Sequence, residues 1–223
     1  MTAPEVAVLD LDGTLVDSVY VHATAWREAF REVGLDVPTY RVHRAIGMGG
    51  DRLISAVAGD AAENSVGDVV RDLHGKLFDA RLPEVHQLEG ASELLEACRD
   101  AGLRIVLASS SQPDTTDKVL SLVDKAHLIE VVVPGSEGPS KPAPDLVETA
   151  LDRAGSDSAF LVGDSVWDVE SAGRAGIPCV GLLTGGYSEA ELREAGAVAV
   201  HDTPRTLAAH LGEALQAVGR AGG

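Results

Sequence analysis

Residues 6–18 read VAVLDLDGTLVDS. The stretch Val6 to Leu11 is apolar apart from Asp10 and too short for a helix, so it predicts a buried strand. Two carboxylates, Asp10 and Asp12, leave its end one residue apart, and Gly13 permits a tight turn beside a bound anion. Taken alone, Asp10-Leu11-Asp12-Gly13-Thr14 also fits ordinary turn and cap chemistry. Roughly 70 residues of purely helical pattern follow before short apolar runs return. Within them Val19, Ala23, Trp26, Phe30 and Val33 form one stripe closed by Gly34, and Val66, Val69, Val70, Leu73 and Leu77 form another. Gly47, Gly49 and Gly50 break the helical pattern between the two stripes.

From Gly90 onward helical periodicity alternates with apolar runs closed by small or acidic residues. That is the pattern of a parallel sheet covered by helices. A helix marked by Leu94, Leu95 and Cys98 ends at Gly102 before the run 103–108; another, marked by Leu146, Val147, Ala150 and Leu151, ends at Gly155 before 160–162. A helix over 166–175 stops at Gly176 and leads into 178–183, with weaker strand candidates at 131–133 and 197–200. Ser188 and Glu191 have capping-box spacing, and Thr203 with Pro204 opens a last helix expected to run to about Val218. The terminal Gly-Arg-Ala-Gly-Gly reads as disordered. The expected fold is α/β: a Rossmann-like parallel sheet core with helices on both faces (1–16 and 87–223) and an inserted all-α cap (17–86).

The 223 residues carry 35 Asp plus Glu against 18 Lys plus Arg, a formal charge of −17, which disfavours nucleic acid and anionic membranes as partners. No apolar run approaches the roughly 18 residues of a membrane span, and MTAPEVAVLD has no basic region ahead of its short apolar stretch. The expectation is a cytoplasmic monomer or homodimer. Cys98 and Cys179 lie far apart without a close Cys or His pairing, which supports neither a zinc site nor a disulfide framework.

In open parallel sheets ligands bind beyond the carboxyl ends of the strands. Three further run ends carry suggestive groups: Leu107-Ala108-Ser109-Ser110-Ser111, Ser140-Lys141-Pro142-Ala143-Pro144-Asp145, and Val162-Gly163-Asp164-Ser165 with Asp168 four residues past Asp164. Singly these fit a helix cap, a solvated lysine and an acidic helix start. Together, on successive strands, they supply what phosphoryl transfer needs. A phosphate dianion repels an attacking carboxylate, so a divalent cation must neutralise both and donors must take the non-bridging oxygens. Asp10 and Asp164 can hold Mg²⁺, Ser109 and Lys141 can take phosphoryl oxygens, and Asp12 can deliver a proton to the leaving alkoxide.

DLDGTLVDS, LASSS, SKPAPD and GDSVWD resemble the four ordered motifs of the haloacid dehalogenase-like superfamily, and the helical insert resembles the small cap of its subgroup containing phosphoglycolate phosphatases and beta-phosphoglucomutases. The resemblance implies Asp10 as the nucleophile that forms an aspartyl-phosphate, and Asp12 as general acid and base whose backbone carbonyl also faces Mg²⁺. It implies Thr14 as the motif threonine, Ser109 and the Ser110 N–H as phosphate ligands, and Lys141 as partner of nucleophile and phosphate. Asp164 and Asp168 match the acidic metal motif, Asp164 directly and Asp168 through water or toward Lys141. Two departures stand out: Ser140 where Gly is frequent, and Glu89-Gly90 in place of Pro-Gly at the cap exit.

Specificity must be read from the cap. The stretch from Asp10 to Trp26 resembles that of beta-phosphoglucomutase, where a histidine gates the general acid, which makes His22 a candidate alongside its reading as an ordinary helix histidine. Gly47-Met48-Gly49-Gly50-Asp51-Arg52 lacks the Ser-Arg that holds a second phosphate in the mutases; Arg52 could substitute with a shifted loop. Lys76, the cap's lysine, could reach an anionic leaving group or be plain solvated surface. The favoured reading is a Mg²⁺-dependent phosphatase acting on a small, anionic, phosphorylated metabolite. Its alternatives are a phosphomutase and a non-catalytic binding protein on the same fold. Dehalogenase chemistry is disfavoured because it would leave Asp12 and Asp164 idle and mutually repulsive.

Overall fold

The computed structural model describes residues 4–135 and 140–221. β1 (Val6–Leu9) leads into the Asp10 loop and β2 (Val16–Asp17). Four helices follow, α1 (Val19–Glu32), α2 (Thr39–His43), α3 (Gly50–Ala58) and α4 (Asp60–Arg81). The chain returns through β3 (His86–Gln87), which pairs antiparallel with β2, so a two-stranded ribbon carries the chain out to the helices and back. Then helices and strands alternate: α5 (Ala91–Asp100), β4 (Arg104–Ala108), α6 (Pro113–Leu120), β5 (Val131–Val133), α7 (Asp145–Ala154), β6 (Ala159–Gly163), α8 (Val166–Arg174), β7 (Cys179–Leu182), α9 (Glu189–Ala195), β8 (Ala199–His201), α10 (Pro204–Ala209) and α11 (Leu211–Ala221).

Six strands form one parallel sheet in the order β5-β4-β1-β6-β7-β8. The chain winds outward from β1 to β4 and β5, then restarts on the other side of β1 with β6. β1 is therefore the switch point, where the crevice at the strands' carboxyl ends opens. Because a strand alternates its faces, Val6 and Val8 pack on Val147 and Ala150 of α7 and Val169 and Ala172 of α8. Ala7 and Leu9 pack on the other face with Leu94, Leu95 and Cys98 of α5 and Leu207, Leu211 and Val218 of α10 and α11. The expected two-faced α/β architecture is the observed one.

The inserted helices have their own core. Trp26 and Phe30 of α1 meet Leu53, Ile54 and Val57 of α3 and Val70 of α4, all buried. Each large apolar side chain so buried contributes about 1.5–3 kcal/mol. The Ser188–Glu191 capping box forms in both directions, Glu191 N donating to Ser188 Oγ at 3.3 Å and Ser188 N to Glu191 Oε2 at 2.9 Å.

Two local expectations are corrected. The single helix from Pro204 to about Val218 is two, interrupted at His210 (φ −119°, ψ 21°). Its N–H is shared between the Thr206 and Leu207 carbonyls, and its own ring Nδ1 lies 2.9 Å from Thr206 O, so the ring competes for the carbonyl the helix ladder would use. The tail expected to be disordered is helical over 219–221, as the end of α11; Gly222 and Gly223 lie outside the described residues.

Candidate active site

The loop after β1 is held by its neighbour strand and by its own turn. Asp10 N donates to Val162 O at 3.0 Å, and Leu15 N returns to Leu11 O at 2.9 Å. Gly13 adopts φ +83°, and a Cβ there would lie 2.3 Å from Asp164 Oδ2. Both facts require glycine. The close approach brings the ends of β1 and β6 together, and Thr14 Oγ1 donates to Asp164 Oδ1 at 3.2 Å. Thr14 is fully buried, so its hydroxyl serves Asp164 rather than the open cleft.

Lys141 is 0% exposed, and its Nζ lies 2.5 Å from Asp10 Oδ1 and 2.6 Å from Asp168 Oδ1. The Asp168 contact is a buried ion pair. Asp168 Oδ2 meanwhile caps α8, accepting from Ser165 N at 3.1 Å and Ser165 Oγ at 2.5 Å. Asp168 thus faces Lys141, one of the two roles read from the sequence. Oxygens of Asp10, Asp164 and Asp168 all lie within 4.8 Å of one another.

Three buried carboxylates around one ammonium leave negative charge uncompensated. Burial pushes Asp10 up to about 7; Asp168 and Asp12 push the same way, and Lys141 resists. Asp164 is lifted well above the carboxylate range by burial, Asp168 and Asp10. Burial alone would lower the Lys141 pKa, but Asp10 and Asp168 hold it above its ordinary value. An all-oxygen cluster of Asp10, Asp164 and Asp168 with surplus negative charge fits a hard divalent cation such as Mg²⁺.

Asp12 faces the helical insert. Its Oδ1 accepts from Ser18 Oγ at 2.6 Å and lies 3.1 Å from His22 Nε2, and its Oδ2 accepts from Ser111 Oγ at 2.9 Å. Burial pushes Asp12 upward, but His22, Ser18 and Ser111 together hold it at about 2. An ionised carboxylate only accepts, so His22 Nε2 carries the proton. His22 Nδ1 lies 3.1 Å from His74 Nε2, which continues the chain of contacts onto α4. The two imidazoles are clamped by aromatic rings: His22 stacks on Phe78 and His74 on Trp26, each with centroids 3.9 Å apart.

Between the sheet edge and the insert lies a cavity of about 430 Å³. Asp10, Asp12, Ser110 and Ser111 form its floor; Trp26, Gly47, Met48, Arg71, Asp72 and His74 are among its upper lining. The insert is docked over it. Ser110 Oγ donates to Gly47 O at 3.0 Å, His43 Nε2 lies 2.9 Å from Gly185 O, and Arg44 O accepts from Tyr187 OH at 2.8 Å and Trp167 Nε1 at 3.1 Å. Ser140, the departure beside Lys141, donates its hydroxyl to Asp51 Oδ1 at 2.5 Å and so ties the lysine loop to the start of α3. Glu89, the departure at the return from the insert, pairs with Arg205 at the protein surface.

Asp10, Asp12, Lys141, Asp164 and Asp168 are therefore brought together, with His22 against Asp12. Ser109 is fully buried, its Oγ accepting from Ser111 N at 3.1 Å; Ser110 lines the cavity. Arg52 is exposed on α3 and Lys76 on α4, and neither lines the cavity; the arginine that does is Arg71. Ser18, Ser111 and His74 were not singled out from the sequence. For the serines a signal existed, since both close quoted motifs. For His74 the signal was its spacing to Phe78, the same four residues that separate His22 from Trp26.

A profile of the haloacid dehalogenase-like hydrolase family matches residues 7–182. The chain is 30% identical over 221 residues to a phosphoglycolate phosphatase of Rhodospirillum rubrum, covering 94% of this chain and 91% of that one. It is 26% identical over 189 residues to a validoxylamine A 7'-phosphate phosphatase of Streptomyces hygroscopicus subsp. limoneus, covering 83% and 89%. Among solved structures, a hydrolase from Pseudomonas syringae superposes with a TM-score of 0.87 at 33% identity, over 93% of this chain and 98% of that one.

Proposed function

The chain belongs to the haloacid dehalogenase-like hydrolase family, and from that premise we propose that it hydrolyses small phosphate monoesters through an aspartyl-phosphate on Asp10. In this reading 1–16 and 87–223 are the catalytic core and 17–86 the cap. The observation that carries it is Asp10 itself: a carboxylate at the switch-point strand, paired with Lys141 at 2.5 Å and opening on a cavity covered by helices.

Asp10 attacks phosphorus; the new bond joins its carboxylate oxygen to phosphorus as the bond to the leaving oxygen breaks. Asp12 protonates that oxygen. A water then attacks the phosphorus of the acyl phosphate, Asp12 takes its proton, and Asp10 is released with inorganic phosphate. Asp10, Asp164 and the Asp12 backbone carbonyl would hold Mg²⁺, with Asp168 beside them; when bound it neutralises charge between nucleophile and phosphate. Lys141 fixes Asp10 and is within reach of phosphoryl oxygens, joined by Ser109 and the Ser110 N–H. His22, Ser18 and Ser111 keep Asp12 ionised, which suits its second task as base. For its first task it takes a proton from solvent as the substrate arrives, because the phosphate dianion raises its proton affinity by like-charge repulsion, and in later turnovers it keeps the proton taken from the attacking water. The docked insert excludes bulk water from these exchanges.

A mutase needs a clamp for a second phosphate. Arg52 is exposed outside the cavity, and Arg71 is already occupied by Glu63 and Asp68. This favours hydrolysis. The test is Mg²⁺-dependent release of inorganic phosphate from a panel of small monoesters, without a bisphosphate activator, together with capture of Asp10 by fluoroberyllate. Release that Asp10→Asn abolishes is the expected result; isomerisation that demands a bisphosphate, or an active Asp10→Asn variant, overturns the reading.

A further inference from the structure

The cap-side wall of the cavity is negatively charged. α4 sets Asp68, Arg71, Asp72 and Gly75 along it, the three-and-four spacing of one helix face, with Asp68 and Asp72 at its exposed rim. Arg71 is the one permanent cation among the described lining residues, and both of its terminal nitrogens are paired with carboxylates. Its Nη1 donates to Glu63 Oε1 at 2.8 Å, Glu63 Oε2 at 3.0 Å and Gly50 O at 3.2 Å, and its Nη2 to Asp68 Oδ1 at 2.7 Å. Two carboxylates therefore answer one guanidinium, and Asp72 pairs with no cation among the described residues. His74 supplies no charge either, because burial and the adjacent His22 push it well below the usual histidine range.

For a substrate that places its phosphorus against Asp10, this wall is among the surfaces that face the leaving group. A carboxylate there meets Asp72 and the Asp68–Arg71–Glu63 cluster, where carboxylates outnumber the one guanidinium. A hydroxyl or an ammonium finds acceptors on Asp72 and Asp68, while Trp26, Ile46 and Met48 supply an apolar side for its carbon skeleton. We propose that the cap admits phosphate esters whose leaving group is an uncharged polyol or bears an ammonium, that it discriminates against leaving groups bearing a carboxylate, and that Asp68 and Asp72 are the specificity-determining residues. This rests on the hydrolase reading above and differs from the anionic substrate expected from the sequence.

Phosphoethanolamine, ethylene glycol monophosphate and phosphoglycolate present ammonium, hydroxyl and carboxylate on matched two-carbon leaving groups. Wild-type kcat/KM is expected to fall in that order, with the carboxylate ester worse than the ammonium ester by about tenfold or more. The gap should narrow as salt is raised toward 1 M, where the screening length falls to about 3 Å. Asp68→Asn/Asp72→Asn should bring the three esters to within about threefold of one another, because the field that ranks them is gone. Calorimetric binding of the same esters to Asp10→Asn reads the preference without turnover and needs no cap substitution. Phosphate release with a flat or reversed charge order overturns this inference and leaves the hydrolase reading standing. Charge-ordered binding to Asp10→Asn with no wild-type release does the opposite. A flat or reversed binding order sinks the inference whatever the turnover.

Discussion

Replacing Asp10 by Asn removes a charge that the folded protein holds at a cost. The carboxyl moves from 3.8 to about 7 on folding. Its folded pKa is raised, so between those values the native state binds a proton that the unfolded chain has released, and stability falls as pH rises through that window. At about 1.36 kcal/mol per unit, the shift is a ceiling of roughly 4 kcal/mol at pH 8; after local relaxation about 1–3 kcal/mol should remain. Lys141 keeps its second partner, Asp168 at 2.6 Å, and Asp164, itself lifted partly by Asp10, is eased in the same direction. Metal-free Asp10→Asn should therefore melt higher than wild type at pH 8, by some 2–4 °C per kcal/mol at this chain length, and equal it near pH 4. Asp12, held at about 2, contributes stability that is lost as pH falls through that value in both proteins, so it cancels in the difference. The assay is differential scanning fluorimetry in EDTA from pH 4 to 8, beside phosphate release with Mg²⁺, which the substitution should abolish. A variant less stable than wild type at pH 8, or a gap independent of pH, would refute the charge-repulsion account of the site.

Mg²⁺ added to EDTA-treated wild type should raise its melting temperature at pH 8, and Asp164→Ala should weaken the apparent affinity about tenfold or more; an unchanged titration midpoint would remove Asp164 from the metal shell. Lys141→Met deletes the ammonium that faces Asp10 and Asp168 and should cost about 3–5 kcal/mol in urea unfolding at pH 8, and less at pH 5 where Asp10 is protonated; an equal loss at both values would contradict the coupling. In Gly185→Ala the new Cβ would lie 2.0 Å from Asp164 Oδ2 and 2.5 Å from Asp164 O. Phosphate release should fall by about a hundredfold or more as Asp164 is displaced, and wild-type kinetics would show that Asp164 tolerates the shift.

The central strands were legible because burial on both faces leaves continuous apolar runs. Val6 and Val8 on one side and Ala7 and Leu9 on the other allow β1 no exposed position; β6 reads the same way, as does β4 from Ile105 onward. The break at His210 was not legible, for a physical reason. Leu207, Leu211, Ala214 and Val218 keep helical spacing across it, so the buried stripe runs on while the backbone does not. Periodicity reports which face is buried; it is blind to a ring nitrogen that competes for one carbonyl.

The candidate site divides along the same line. Asp10, Asp12, Lys141, Asp164 and Asp168 could be assembled from the sequence because each follows a strand of one parallel sheet, and parallel strands deliver their ends to one edge. Residues whose place depends on how the insert docks had no such guide. Arg52 and Arg71 are both cap arginines beside an aspartate, yet Arg52 shares α3 with Leu53 and Ile54, whose burial turns its own side chain outward. Arg71 lies next to Val70, whose burial against Trp26 and Phe30 fixes the rotation of α4 and swings positions 68, 71 and 72 over Asp10. The charge that a leaving group meets is thus set in part by the packing of apolar residues outside the cavity, Val70 and Phe30 among them. Lys76, four residues beyond Asp72, is exposed and outside the cavity lining, so the wall keeps the sign of Asp68 and Asp72.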